Sequence, residues 1–199
     1  MRLSYLMRYA FIGGIPASGK SHLAEKIAKT TGVLHVAIDN WREEIRGDSK
    51  LKPWVNFFRD KNEEEYWKIT HCEKHWENLT DQSEAFWPII KRRIDDVVKS
   101  GKDAIFEGVN LLPHLVANDF RFPAIFLLGE SFEKVFARNK RDPRWGQTEI
   151  LQRKEAEIFF FCERPLYKQE AEKYGFKAFS DQLQAEKELR QLLANNQKL

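Results

Sequence analysis

One octapeptide near the amino end constrains this 199-residue chain more than any other stretch. Gly14-Ile15-Pro16-Ala17-Ser18-Gly19-Lys20-Ser21 has the spacing G-x-x-x-x-G-K-[ST]. Each position has a mechanical task. The glycines let the backbone curl until successive N–H groups point inward at a phosphate. A helix opening near Lys20 aims the positive end of its dipole at the same anion. Lys20 then bridges the outer phosphates, and the Ser21 hydroxyl is placed for Mg²⁺. The flanks agree. Tyr9–Ile12 is a short apolar run predicted as a strand. Lys20–Lys29 carries Leu23 and Ile27 at i, i+4, with Ala24 and Ala28 beside them, and Gly32 stops it. The expected nucleotide-binding set is Gly14, Ile15, Pro16, Ala17, Ser18, Gly19, Lys20, Ser21 and His22, with ATP and Mg²⁺ as cofactors.

Downstream, strands alternate with helical patterns. Strands are predicted at Val33–Ile38, Asp103–Val109, Pro123–Leu128 and Phe176–Phe179. Helices are predicted at Glu63–Asn78, Ala85–Lys99, Ser131–Lys140 and Thr148–Phe161, and a last one opens at the capping pair Asp181/Gln184. Pro88 is expected in a first turn or at a kink, since it lacks an N–H. This alternation predicts an α/β fold of three layers, a five-stranded parallel sheet with helices on both faces. The whole chain, 1–199, reads as one domain. A helical region at 40–99 and a basic segment at 138–147 interrupt the regular alternation.

Composition narrows the partners. Lys+Arg number 33 and Asp+Glu 30, a formal charge of +3, so a surface that coats nucleic acid is not expected. No run is long enough to span a bilayer. Residues 1–17 imitate a secretory leader, but Arg8 interrupts the apolar run, and Met7 offers a second start. Cys72 and Cys162 stand far apart and outside any C-x-x-C pair. No disulfide scaffold is expected, and a reducing, cytoplasmic setting is. His71 and His75 sit at i, i+4, but His71-Cys72-Glu73-Lys74-His75 is not H-E-x-x-H. Five of six Trp, at 41, 54, 67, 76 and 87, fall between the second and third strands. Most of these rings are expected to pack helix on helix, and a few to line a pocket.

Asn139-Lys140-Arg141-Asp142 fits N-K-x-D, the base-reading signature of a GTPase, yet it continues a helical pattern and no Asp has Gly three residues later. The chain instead resembles the nucleoside-monophosphate-kinase-like branch of P-loop proteins, over nearly its whole length. Glu107-Gly108-Val109-Asn110-Leu111-Leu112-Pro113 looks like the E-G-V-x-x-x-P stretch of 2-phosphoglycerate kinases. Zeta-toxin-like and antibiotic-phosphorylating kinases are similar around the loop and Asp39. The resemblance implies an ATP-dependent kinase acting on a hydroxyl or phosphate of a small metabolite. It implies a lid at Arg138, Arg141 and Arg144. It departs from the pattern at Glu107, where the third strand usually ends in Asp.

Candidate roles follow. Asp39, at a strand's carboxyl end, is expected to take the acceptor proton or to hold Mg²⁺ through water, or else to cap a helix. Glu107 is expected to orient a metal-bound water, with Asn110 and Arg42 as further acceptor contacts. Arg138, Arg141 and Arg144 are expected to neutralise the transferring phosphoryl group. A zeta-toxin-like or polynucleotide kinase with a larger acceptor, and an ATP-binding regulatory module without chemistry, remain alternatives.

Overall fold

The computed structural model describes residues 9–55 and 62–195, without the side chains of 42–44 and 195. Five strands, β1 (Tyr9–Gly14), β2 (Leu34–Ala37), β3 (Ala104–Glu107), β4 (Ala124–Leu127) and β5 (Lys177–Phe179), form one sheet in the order β2-β3-β1-β4-β5. Every pairing is parallel. Alternation along β1 assigns its two faces. Ala10 and Ile12 pack with Leu23 and Ile27 of α1 (Lys20–Thr31) and with Leu189 of α10 (Gln182–Asn195). Tyr9 and Phe11 face the opposite layer with Phe86, Ile90 and Ile94 of α5 (Cys72–Lys99), Val116 of α6 (Pro113–Asp119) and Tyr167 of α9 (Arg164–Lys173). The three-layer reading of the sequence holds, and all five strands lie within two residues of their predicted bounds.

Short helices follow β2: a 3₁₀ turn at Ile38–Trp41, then α2 (Arg42–Gly47), α3 (Lys52–Val55) and α4 (Glu63–Ile69). Two predicted helices are corrected here. Glu63–Asn78 is broken at Thr70 and His71, whose backbones are extended, and the next helix runs unbroken for 28 residues. Pro88 lies inside α5, not in a first turn. The missing N–H bond is offset by burial of Phe86, Trp87, Ile90 and Ile94 around it. The predicted Thr148–Phe161 helix is two pieces, α8 (Glu149–Glu157) and a π-helical turn at Ile158–Glu163, which runs on into α9. α7 (Phe132–Arg141) is capped by Ser131, whose hydroxyl accepts from the Lys134 N–H at 3.3 Å. Asp181 caps α10, accepting from the Gln184 N–H at 2.8 Å.

The ring-rich segment is mostly core. Trp76 meets Tyr167 edge-on at 4.9 Å, and Trp87 Nε1–H donates to Asp119 at 2.5 Å. Phe57 and Phe58 lie outside the described residues. Cys72 and Cys162, read from the sequence as unpaired, form a disulfide that ties the start of α5 to the π-helical turn. Sequence distance hid this pair, because only the packing of α5 against that turn brings the two together. No helix among the described residues is long and apolar enough to cross a membrane.

Candidate active site

The octapeptide lies where its spacing requires, between β1 and α1. Gly14 has φ +118°, and a Cβ there would stand 2.1 Å from the Leu127 carbonyl oxygen on β4. Only glycine lets β1 stay paired with β4 while the chain begins to curl. Ala17 also takes a left-handed φ, of 54°. Ser18 Oγ donates to the Ile15 carbonyl at 2.8 Å and closes the loop on itself. The loop opens on a cleft of about 690 Å³ lined by Pro16, Ala17, Gly19, Lys20, Ser21 and His22. Asp39, Glu107, Arg138, Arg141 and Arg144 complete its charged walls. The expected donor-binding and catalytic side chains therefore meet in one place, at the carboxyl ends of the strands.

The carboxylates are held differently. Asp39, on the 3₁₀ turn after β2, accepts from Arg144 Nη2 through Oδ2 at 3.1 Å, while its Oδ1 is buried with no hydrogen-bond partner. It caps no described helix through its side chain. Glu107 is buried at the end of β3, with Oε1 3.3 Å from His35 Nε2. Arg138 projects from α7 back onto the loop, donating to the Ser18 carbonyl at 3.2 Å and to Glu130 at 3.3 Å. Asn139 is buried in that helix and binds Gln152 and Glu155, so the N-K-x-D match is indeed a helical coincidence.

A scan of family models matches one described as AAA domain to residues 10–120, more than half of the chain. The chain belongs to the AAA domain family. No curated protein matches it in sequence. Its fold is that of the P-loop, nucleoside-monophosphate-kinase-like small-molecule kinases. It is similar to shikimate kinase from Acinetobacter baumannii in complex with shikimate, at TM-score 0.55 and 14% identity over 96% of both chains. A putative kinase from Chloroflexus aurantiacus is similar at TM-score 0.52 and 13% identity, over 97% of this chain and 99% of that one. TT1252 from Thermus thermophilus is similar at TM-score 0.54 and 13% identity, over 95% and 97%.

Within this AAA-domain cleft, Lys20 is the group most altered by its surroundings. Its Nζ donates to the Gly14 and Ile15 carbonyls at 3.0 and 2.7 Å. Burial pushes its pKa from 10.5 down to about 8; Arg144 adds to the fall, while Glu107 and Asp39 oppose it.

One expected contact does not reach the cleft. Asn110 is turned into the protein, where its amide donates to Ser83 Oγ of α5 at 2.8 Å. It fastens the β3–α6 loop and is not an acceptor contact. The side chain of Arg42 lies outside the described residues. Three other residues belong to the site without any sequence signal. Gln182 Nε2 reaches the Ser18 and Gly19 carbonyls at 3.3 and 3.4 Å from the opposite end of the chain. Trp145 lines the cleft beside Arg144 and stacks on Trp67 at 5.7 Å. Glu155 is fully buried. Its Oε1 accepts from the Trp145 and Gly146 N–H groups at 2.9 and 3.1 Å, and its Oε2 from Asn139. It shapes the turn that presents Arg144.

Proposed function

We propose that the protein is an ATP-dependent kinase that transfers the γ-phosphoryl group to a hydroxyl of a small acceptor. The observation that carries this reading is the state of Asp39. One oxygen is fixed by Arg144, and the other is buried and unpartnered in the cleft that the phosphate loop opens on. An oriented carboxylate with a free oxygen suits removal of a proton from an attacking hydroxyl. The kinase-like fold and the intact loop motif support the same reaction class.

In this reading the Gly14–Ser21 amides and the α1 N-terminus bind the phosphates of ATP. Lys20 exchanges its two backbone carbonyls for phosphate oxygens. Asp39 Oδ1 accepts the acceptor's hydroxyl proton as that oxygen attacks. Arg138, Arg141 and Arg144 offset charge on the moving phosphoryl group, and Trp145 and its turn shield the cleft from water. Ser21, with Glu107 or Asp39 through water, offers the hard oxygen ligands that suit Mg²⁺, whose chemistry is to neutralise the phosphate oxygens. Residues 40–99 supply the acceptor side, and residues 138–147 the lid.

The test is ADP release from Mg²⁺-ATP across a pool of small hydroxylated metabolites. Lys20→Met is expected to abolish both ATP binding and turnover. Turnover that survives this substitution refutes the reading.

A further inference from the structure

A second, smaller cavity adjoins the nucleotide cleft. Pro16, Val109, Arg144 and Trp145 line both, and Leu79, Phe159 and Glu163 close the inner end of the smaller one. About 30 Å³ of it is open to a water-sized group, which suits one terminal substituent of a ligand and not its body. Its wall mixes Val55, Leu79 and Phe159 with the polar His75, Gln82 and Arg144, and Glu163 is the acidic group on it.

Glu163 is 3% exposed and occupies the last position of the π-helical turn. A π turn inserted between two α-helices often marks a functional position, because it redirects the side chains that follow it. A polar relay reaches Glu163 from the ring-rich helices. Asn78 Nδ2 donates to Tyr66 Oη at 3.1 Å, Tyr66 Oη lies 3.2 Å from His75 Nδ1, and His75 Nε2 lies 2.8 Å from Glu163 Oε1. With Tyr66 donating to Nδ1, Nε2–H donates to the carboxylate. Asn78 and His75 are also buried. The relay ends on one oxygen only. Glu163 Oε2 is buried and has no hydrogen-bond partner. A buried carboxylate oxygen left so is costly unless a donor comes to it.

The geometry points to Glu163 as the residue that selects the acceptor: Oε2 receives an O–H or N–H donor at the ligand's inner end, so the acceptor enters with a hydroxyl or ammonium terminus and not an anionic one. This rests on the kinase reading for the word acceptor, though not for the binding. An anionic terminus would meet an unpaired carboxylate of like charge in a low-dielectric space. A hydroxyl or ammonium group satisfies that oxygen, while Arg144, at the shared wall, stays engaged with Asp39. Trp145 lies over the junction of the two cavities, so it reports on occupancy of either.

The experiment is quenching of tryptophan fluorescence in nucleotide-free protein by three matched pairs at millimolar concentrations: glycerol and glycerate, ethanolamine and glycolate, glucose and glucuronate. Wild-type protein is expected to bind the neutral or cationic member of at least one pair at least tenfold more tightly than its anion. Glu163→Gln, close in shape, is expected to weaken that binding by about ten- to a hundredfold, the usual weight of a hydrogen bond to a charged group. Val55→Phe, at another residue that lines the same cavity, narrows it; it is expected to weaken the binding with Glu163 intact, and so covers the case in which the first variant fails to fold. Preference for the anions, no response to any of the six, or equal binding by Glu163→Gln would overturn the proposal. Because no nucleotide is used, a protein that binds these probes but transfers no phosphate refutes the kinase reading alone.

Discussion

Lys20 sits charged in a buried loop when no phosphate is present, and this has a measurable consequence for stability. In the unfolded chain its ammonium keeps its proton to pH 10.5; in the folded protein burial lowers that point to about 8. Below pH 8 both states hold the proton, and Lys20 gives no slope of stability against pH. Between pH 8 and 10.5 the unfolded state holds more protons, so stability rises with pH at about 1.4 kcal/mol per pH unit. From pH 8 to 9.5 the rise amounts to about 2 kcal/mol. Other groups titrate in this range too, so the measurement is a difference. Urea unfolding is followed for wild-type protein and Lys20→Met at half-unit steps, and the variant's stability is subtracted. The difference is expected to climb by about 2 kcal/mol across the window. Saturating ATP is expected to flatten the climb, because phosphate charge keeps Lys20 protonated. A difference that is flat or falls with pH in nucleotide-free protein refutes the claim that the loop holds a desolvated ammonium.

Three further expectations concern the frame around the site. Glu155→Ala removes the carboxylate that accepts from the Trp145 and Gly146 N–H groups and from Asn139, whose amide keeps only the Gln152 carbonyl; it is expected to cost about 4 kcal/mol in urea unfolding and to lower kcat at least tenfold through loss of the Arg144 turn. Gly14→Ala puts a Cβ against the Leu127 carbonyl at a positive φ; a loss on the order of 3 kcal/mol and of ATP binding is expected by calorimetry. Reduction of the Cys72–Cys162 bond, which spans 90 residues, is expected to lower stability by about 4 kcal/mol, read as the shift in urea midpoint with added thiol; an unchanged midpoint would mean that the bond is not formed in solution.

The layered fold was legible because its signals are local. The octapeptide, the Leu23/Ile27 stripe and Gly32 together describe β1, the loop and α1, and Gly32 does end the helix in a left-handed conformation, at φ 74°. The place of the loop residues in the fold was legible for the same reason, since they are contiguous. Asp39, Glu107 and the three arginines on the walls of the site were read from the sequence as well, but the rest of the walls were not. Gln182 reaches the loop from 163 residues away, and the Glu163–His75 contact joins positions 88 apart. Such contacts follow from how α5, the π turn and α10 dock, which no periodicity states. Asn110 shows the converse failure: a position inside a motif points away from the cleft because Ser83 offers it a buried partner. Pro88 lies outside a first turn because the core contacts of its neighbours extend α5 towards the amino end, past the start that local propensity suggests.

The central claim is that Asp39 takes the proton from an attacking hydroxyl within the cleft opened by the phosphate loop. Asp39→Asn preserves shape and the contact with Arg144 while removing the basic oxygen. In a Mg²⁺-ATP assay against whichever acceptor gives ADP release with wild-type protein, the account predicts that Asp39→Asn binds ATP within about threefold of wild type. It also predicts that kcat falls by about 10² to 10⁴. A variant that binds ATP normally and turns over at the wild-type rate would contradict it.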